Sequence, residues 1–432
     1  MEAVRDQDPG RSSPYRTEPR RLGPRPLPLH LAMAGLAWSG WRLASLSSRP
    51  PWLGLPPASP PDLARRASDL ERDSASAKPE ALAAALQREA VRRAHRLLDG
   101  IEAYRQHVYR RDLPEPPVLW RAGTTRLLDY GACAEATVPD GPPILVVPSL
   151  INRAYILDLS ARISLLRWLA AQGFRPLLVD WDAPGPIERG FSLTDYVAGR
   201  LEQALDAALA ATGRRPLLAG YCMGGTLTAA LAQRRQRDLA GLILLAAPWD
   251  FHGDQPQAAP LGLGSLLSFG PALDVLGELP VDAIQALFAA VDPLGGVRKF
   301  LAFAGLDHES GKAETFVALE DWLNDGVPLA SSVARDCLGG WYGANTPALG
   351  AWRIAGRAVD PSKLGLPSLC MIPAQDRIVP PASARALGSA IPNCELREPA
   401  VGHIGMVTSG RARALVWEPL AAWMRTKAEA AA

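Results

Sequence analysis

The chain is poor in cysteine and in net charge. Five cysteines, Cys133, Cys222, Cys337, Cys370 and Cys394, are scattered over 432 residues without a CxxC pair. An odd number at irregular spacing argues against a disulfide framework and a zinc site. It suits a reducing compartment, so a cytoplasmic location is expected. The 46 basic and 44 acidic residues leave a formal charge of +2, which gives no electrostatic footprint for nucleic acid. Long apolar runs are also missing. The most apolar early stretch, 27–41, contains Pro28 and His30 and falls short of a membrane span. Residues 1–50 hold eight arginines and no lysine. That bias fits a targeting peptide, but no clear cleavage site follows, and a tail that touches a surface fits equally well. There is no internal repeat.

What is present is enough for a full core. Hydrophobic residues make up 48% of the chain and charged residues 21%, ordinary values for a globular enzyme. Twelve tryptophans are many for this length and could line a site for an apolar substrate. Residues 1–80 are rich in Pro, Arg, Ser and Ala, and the clusters at Pro26, Pro28, Pro56-Pro57 and Pro60-Pro61 predict a largely disordered tail with one short helix near 31–46. A domain starting near residue 110 is expected to fold without it. Residues 81–119 carry Ala and Leu at helical spacing, predicting an amphipathic helix, or two in series interrupted at Gly100.

From about Trp120 short apolar runs alternate with helical patterns. Strands are predicted at 144–147, 176–180, 215–219, 239–247, 368–372 and 395–398. Helices are predicted at 158–171, 193–210, 226–233 and 411–426. This rhythm implies an α/β fold with a mostly parallel sheet covered by helices on both faces. The rhythm fails between 250 and 345, where Gly and Pro clusters separate helical pieces and no strand is evident. The expected layout is a core of 120–249 and 346–427 with a helical cap insertion over 250–345.

Gly220-Tyr221-Cys222-Met223-Gly224-Gly225 lies between the 215–219 strand and the 226–233 helix. Strand, tight turn and helix are the setting of a nucleophile elbow, here with cysteine in the nucleophile position. Gly220 and Gly224 allow the backbone to crowd into the turn. The adjoining helix N-terminus favours a thiolate. A buried inert cysteine at a plain βα connection is the competing reading. Asp376 follows a later strand and His403 follows the last one, in Val401-Gly402-His403-Ile404-Gly405. The order nucleophile, acid, histidine is that of the α/β-hydrolase fold. His403 is then the base for Cys222, and Asp376 fixes its tautomer. The Met223 amide is one expected oxyanion donor, and the second is expected near Leu150, after the first core strand. His252 and His308 fall in the insertion, and His30, His95 and His107 precede the core. Asp180, Asp182 and Asp250 either shape the pocket or cap the next segment, and Asp321, Asn324 and Asp325 read as a helix end.

These motifs resemble those of the polyhydroxyalkanoate synthases, closest to catalytic subunits of the short two-component type, over roughly 120–425. Pro148-Ser149-Leu150-Ile151-Asn152-Arg153 with Tyr155-Ile156-Leu157-Asp158-Leu159 resembles the segment after that family's first core strand. Asp180-Trp181 and Leu193-Thr194-Asp195-Tyr196 look like its next landmark. Gly220–Gly225 resembles its cysteine elbow, Asp376-Arg377-Ile378-Val379-Pro380-Pro381 its acid loop, and Gly402-His403-Ile404-Gly405 its histidine loop. The resemblance implies an acyltransferase that joins (R)-3-hydroxyacyl units from coenzyme A thioesters into a polyester, with Cys222 carrying the acyl chain. Coenzyme A then enters as substrate, and neither a cofactor nor a metal is expected. The implied partners are the growing polyester chain, a granule surface, and a second synthase subunit or a second copy. Residues 1–110 depart from the short synthases, and Pro248-Trp249-Asp250-Phe251 follows them only in part. Water as acceptor would make the protein a thioesterase or polyester hydrolase. A non-catalytic granule or synthase partner is the third reading.

Overall fold

The computed structural model describes residues 21–46, 61–75, 77–254 and 258–431. The chain forms two compact units, Met1–Tyr109 with Gln285–Asn324, and Arg110–Ile284 with Asp325–Ala432.

The larger unit is built on an eight-stranded sheet. Its strands are β1 (Val118–Ala122), β2 (Thr125–Asp129), β3 (Pro143–Val147), β4 (Arg175–Asp180), β5 (Leu217–Tyr221), β6 (Gly241–Leu245), β7 (Ser368–Met371) and β8 (Cys394–Arg397). They lie in the spatial order β1-β2-β4-β3-β5-β6-β7-β8. β2 runs antiparallel to both of its neighbours, and the pairs from β4 to β8 are parallel. The order and the single antiparallel strand are those of the expected α/β-hydrolase fold. β3, β5 and β6 are buried at every position, which explains the Val, Ile and Leu runs of β3 and β6 and the lack of charge in β5. Register then decides where chemistry falls. Val147 pairs with Gly220, Tyr221 with Leu245, and Leu245 with Met371. The C-terminal ends of four strands therefore meet at one edge, where such sheets bind ligands.

Local differences from the sequence reading have physical causes. The helix expected over 158–171 forms only at Leu165–Ala171, capped by the Ser164 side chain on the Arg167 amide at 3.0 Å. Asp158 is fully buried and accepts from Arg167 Nε at 2.9 Å, Arg111 Nη2 at 3.1 Å and the Tyr130 hydroxyl at 3.1 Å. A buried carboxylate needs such partners, and meeting them bends the chain into a short hairpin before the helix. The antiparallel strands β1 and β2 escaped the reading because their alternation is too short to stand out.

The smaller unit departs from the expected tail in part, since the short helix expected near 31–46 forms and a second helix follows it. Residues 1–20 and 47–60 lie outside the described residues, but Leu27–Leu46 and Pro61–Ala75 are helices. Ala34 is 1% exposed in a cluster with Leu97, Ile101, Tyr104, Val297, Phe300, Phe303, Ala313 and Val317, against which Leu27 and Trp38 pack. Phe303 stacks on Phe316 at 4.2 Å, and Tyr104 meets Phe300 edge-on at 5.6 Å. Gly100 does not interrupt its helix, which runs from Pro79 to Gln106. A side chain there would overlap the Phe300 carbonyl oxygen, so glycine serves close helix packing.

The cap is also divided differently from the expected single insertion. Gln285–Asn324 clusters with the N-terminal helices, while its flanks belong to the sheet unit. Two short strands, Glu278–Leu279 and Leu329–Ala330, pair within those flanks, where none was expected. The helix Ala258–Leu276 is long and apolar enough to cross a membrane by length and composition, which corrects the reading that no segment is. Only 17% of its most apolar window is buried.

Arg21 ties the first helical segment down. It makes a bidentate pair with Asp321 at 2.7 and 2.8 Å and donates to the His107 and Tyr109 carbonyls. Its side chain is 7% exposed. Breaking one side of a buried pair leaves the other charge uncompensated. Arg21→Ala is therefore expected to destabilise the smaller unit by on the order of 3 kcal/mol. Hydrogen exchange should show it as faster exchange across Leu27–Leu46; unchanged protection there would refute the anchoring role.

Candidate active site

Cys222 follows β5 directly and precedes the helix Met223–Arg235, with φ 55° and ψ −130°. A non-glycine residue there is strained and persists only where its surroundings enforce it. Here they do. A Cβ on Gly224 would overlap the Val147 carbonyl oxygen and stand 2.7 Å from that of Pro148, and one on Gly225 would overlap the Ala247 methyl. Only glycine lets the helix start this close to the strand ends. The Cys222 amide donates to Leu245 O at 2.9 Å, and the Gly225 amide to Cys222 O at 2.8 Å. Thr226 Oγ1 donates to Pro248 O at 2.7 Å.

Asp376 stands in the loop after β7. Its Oδ1 accepts the Ile378 and Val379 amides at 2.8 and 2.9 Å. Its Oδ2 lies 2.6 Å from His403 Nδ1. Both side chains are buried. With Nδ1 committed to Asp376, Nε2 is the ring nitrogen left free to serve Cys222, whose charge acts on the imidazole. Burial alone would lower the imidazole pKa, but the charge of Cys222 and the hydrogen bond and charge of Asp376 outweigh it and raise the pKa to about 10. Asp376 thus holds the ring, and the charge of Cys222 favours its protonated form. The other four cysteines are pushed up as thiols, chiefly by burial, Cys133 to about 11 and Cys394 to about 12, with Cys337 and Cys370 higher still.

Leu150 is buried in the loop after β3. That loop is fixed by Trp181 Nε1 on Pro148 O at 3.1 Å, by Ser149 Oγ on the Ile151 amide at 3.1 Å, and by the bridge Asn152 to Gly326. Met223 is the first residue of its helix, where amides have no acceptor within the helix. Opposite stands Tyr342, whose hydroxyl is raised by burial first and then by the Cys222 charge, although 37% of the residue remains exposed. Phe251 packs on Tyr342 at 5.0 Å and on Trp341 at 5.4 Å.

The remaining candidate acids are structural. Asp180 pairs with Arg126, and Asp182 and Asp325 pair with Arg153. Asp321 holds Arg21 and the Tyr104 hydroxyl, and Asn324 donates to Gly23 O and that hydroxyl. Asp250 accepts the His252 and Gly253 amides at 3.0 Å and Asn345 Nδ2 at 2.8 Å. Asn345 in turn accepts the Phe251 amide at 2.9 Å. Tyr221 and Asn345 escaped the sequence reading. Asn345 has a positive φ of 51°, a conformation asparagine tolerates, but one asparagine gives no such signal in a sequence. Among the described residues no group of three or more His, Cys, Asp or Glu could hold a metal ion.

A family model described as alpha/beta hydrolase fold matches residues 142–409, and one described as Poly-beta-hydroxybutyrate polymerase (PhaC) N-terminus matches 113–169. The chain is 30% identical over 317 residues to the Poly(3-hydroxyalkanoate) polymerase subunit PhaC of Haloferax mediterranei, covering 72% of this chain and 64% of that one. It is 30% identical over 315 residues to the subunit PhaC of Haloarcula marismortui, covering 71% and 66%. It is 30% identical over 293 residues to the subunit PhaC of a Synechocystis species, covering 65% and 77%. The chain thus spans just under two thirds of the length of the first two relatives.

The histidine makes the arrangement testable by titration. Its pKa rises from 6.5 to about 10 on folding, so the stability it contributes is fully present below about pH 6.5 and is lost as pH rises through about 10. Cys222→Ala removes the largest cause that raises it and should lower the His403 titration seen by NMR. Asp376→Asn should lower it too. A His403 titration unmoved by Cys222→Ala would break the proposed pairing.

Proposed function

We propose, for a chain that belongs to the alpha/beta hydrolase fold family and within it to the polyhydroxyalkanoate synthases, that it is an acyltransferase building a polyester from (R)-3-hydroxyacyl-CoA. The observation that carries this reading is a cysteine on a strained turn, whose charge acts on a histidine that a buried aspartate holds at 2.6 Å. The sulfur attacks the thioester carbonyl carbon, and the oxyanion forms facing the Met223 and Leu150 amides. Collapse expels the coenzyme A sulfur, which takes the His403 proton and leaves an acyl thioester on Cys222. The hydroxyl of a second hydroxyacyl-CoA then gives its proton to His403 while its oxygen attacks the acyl carbon. Cys222 departs as thiolate, and the product, one unit longer, can return to it. Each exchange replaces a thioester by a thioester or an ester, so no other reactant is required.

The same reading places the protein in the cytoplasm at polyester granules. Support comes from the helix Ala258–Leu276, about 28 Å long at 1.5 Å per residue, on which Leu267 is 80% and Val275 84% exposed. A second synthase subunit or a second copy remains part of the proposal.

Purified protein given 3-hydroxybutyryl-CoA should release coenzyme A in step with polymer. Free hydroxyacid without polymer would replace this reading by the hydrolase. Cys222→Ala should abolish covalent labelling by an acyl-CoA analogue, and His403→Ala should slow it about 100- to 10,000-fold. Mass spectrometry that finds the adduct on another cysteine would overturn the assignment. For the granule, Leu267→Glu with Val275→Glu should reduce co-sedimentation with polyester while soluble coenzyme A release is kept. Undiminished co-sedimentation would remove this helix from the contact.

A further inference from the structure

Tyr221 immediately precedes the nucleophile and is 4% exposed. Its hydroxyl donates to the backbone carbonyl of His403 at 3.2 Å. Its ring lies 5.4 Å from the imidazole, with the planes inclined by 32°. One side chain therefore grips the histidine twice, by its main chain and by its ring face. We propose that Tyr221 is a positioning residue that sets the reach of His403 to Cys222 and favours the charged imidazole. The inference rests on the Cys222–His403 pairing of the proposed function but not on the identity of the acyl donor or acceptor.

The need for such a grip is visible in the loop. His403 lies between Gly402 and Gly405, residues that restrain the backbone least. Asp376 fixes the ring through Nδ1, and the Gln375 amide ties the acid loop to Val401 O at 3.0 Å. Neither contact fixes the carbonyl of His403 itself. The Tyr221 hydroxyl does, and its own backbone is locked in the sheet by pairing with Leu245. Nucleophile and base are thus both referred to adjacent residues at the end of one rigid strand, the base to Tyr221 and the nucleophile one residue on. The hydroxyl keeps its proton, because burial first, and then the charges of Cys222 and Asp376, push its ionisation far above the ordinary range. An aromatic face against an imidazolium also stabilises the cation. The grip therefore has two separable parts, a tether through oxygen and a charge preference through the ring.

Alkylation of Cys222 by iodoacetamide, read by mass spectrometry across pH, tests this without acyl-CoA or polymer. Tyr221→Phe keeps the ring and removes the tether. It should slow alkylation and acylation about 3- to 10-fold, the size of one lost neutral hydrogen bond. KM for acyl-CoA and the His403 titration should stay as in the parent. Tyr221→Leu removes both parts, and should slow alkylation further, shift its pH profile and lower the His403 titration. Parent-like alkylation rate and pH profile in both variants would overturn the proposal, whatever happens to thermal stability. If Tyr221→Phe does not fold, 3-fluorotyrosine at position 221 keeps the shape and strengthens the donor. It should then leave the rate undiminished, with the His403 15N resonances shifted. Unshifted resonances would count against the tether. Loss of polymer synthesis with these responses intact would refute the acyl-transfer reading alone.

Discussion

The close approach of the helix Met223–Arg235 to the ends of β3 and β6 is the constraint on which the rest depends. Gly224 lies against the Val147 carbonyl, and Gly225 against Ala247. With any larger residue the helix must move away from the sheet. Cys222 would then relax from its strained φ of 55°, and its sulfur would no longer face the histidine loop. The strain is sustained by burial, since Met223 through Ala232 are all buried. The reactive geometry is therefore a by-product of core packing, which makes it rigid without any device on the surface.

A second requirement follows from that burial. An imidazolium in a dry site is costly unless its partners compensate it. His403 meets this with a carboxylate on Nδ1 and with the charge of Cys222. Asp376 in turn is held by two amides of its own loop. Every charge in the chain from sulfur to carboxylate thus has a neighbour of the opposite kind. Partial removal is expected to cost more than any one contact is worth, because it leaves a buried charge unpaired.

Much of this was legible in the sequence where the signal is local. Unbroken apolar runs such as Ile144–Val147 announce buried parallel strands, and glycines around Cys222 announce the turn. Asp376 could be placed because it follows such a strand, and His403 because it follows the last strand, in a glycine-flanked loop. What stayed hidden depends on partners distant in sequence. Arg21 meets Asp321 across 300 positions, so proline clusters around it read as a disordered tail. Gly100 looked like a helix break because its neighbour Phe300 comes from another part of the chain. The helix Ala258–Leu276 was obscured by its own glycines and by Pro271, which the structure accommodates inside the helix. Tyr221 was in plain view beside the nucleophile, but nothing in a sequence tells that its hydroxyl reaches a backbone carbonyl 182 positions away.

The insertion shows how the residues near the nucleophile are held at its two roots. It leaves the core at Asp250 and returns at Asn345, and these two side chains bond to each other across 95 positions. Closing a loop of that length costs entropy that grows only slowly with length, so one well-satisfied clamp can hold both roots. The Trp249 amide adds a bond to Ser383 Oγ at 3.1 Å, fixing the exit point to the core beside the acid loop. Phe251 and Tyr342, one from each root, pack together at 5.0 Å, and the charge of Cys222 reaches the Tyr342 hydroxyl. The residues facing the nucleophile are therefore set at the roots. The middle of the insertion, Gln285–Asn324, clusters instead with the N-terminal helices. The Asp250–Asn345 clamp holds the roots where Phe251 and Tyr342 pack together.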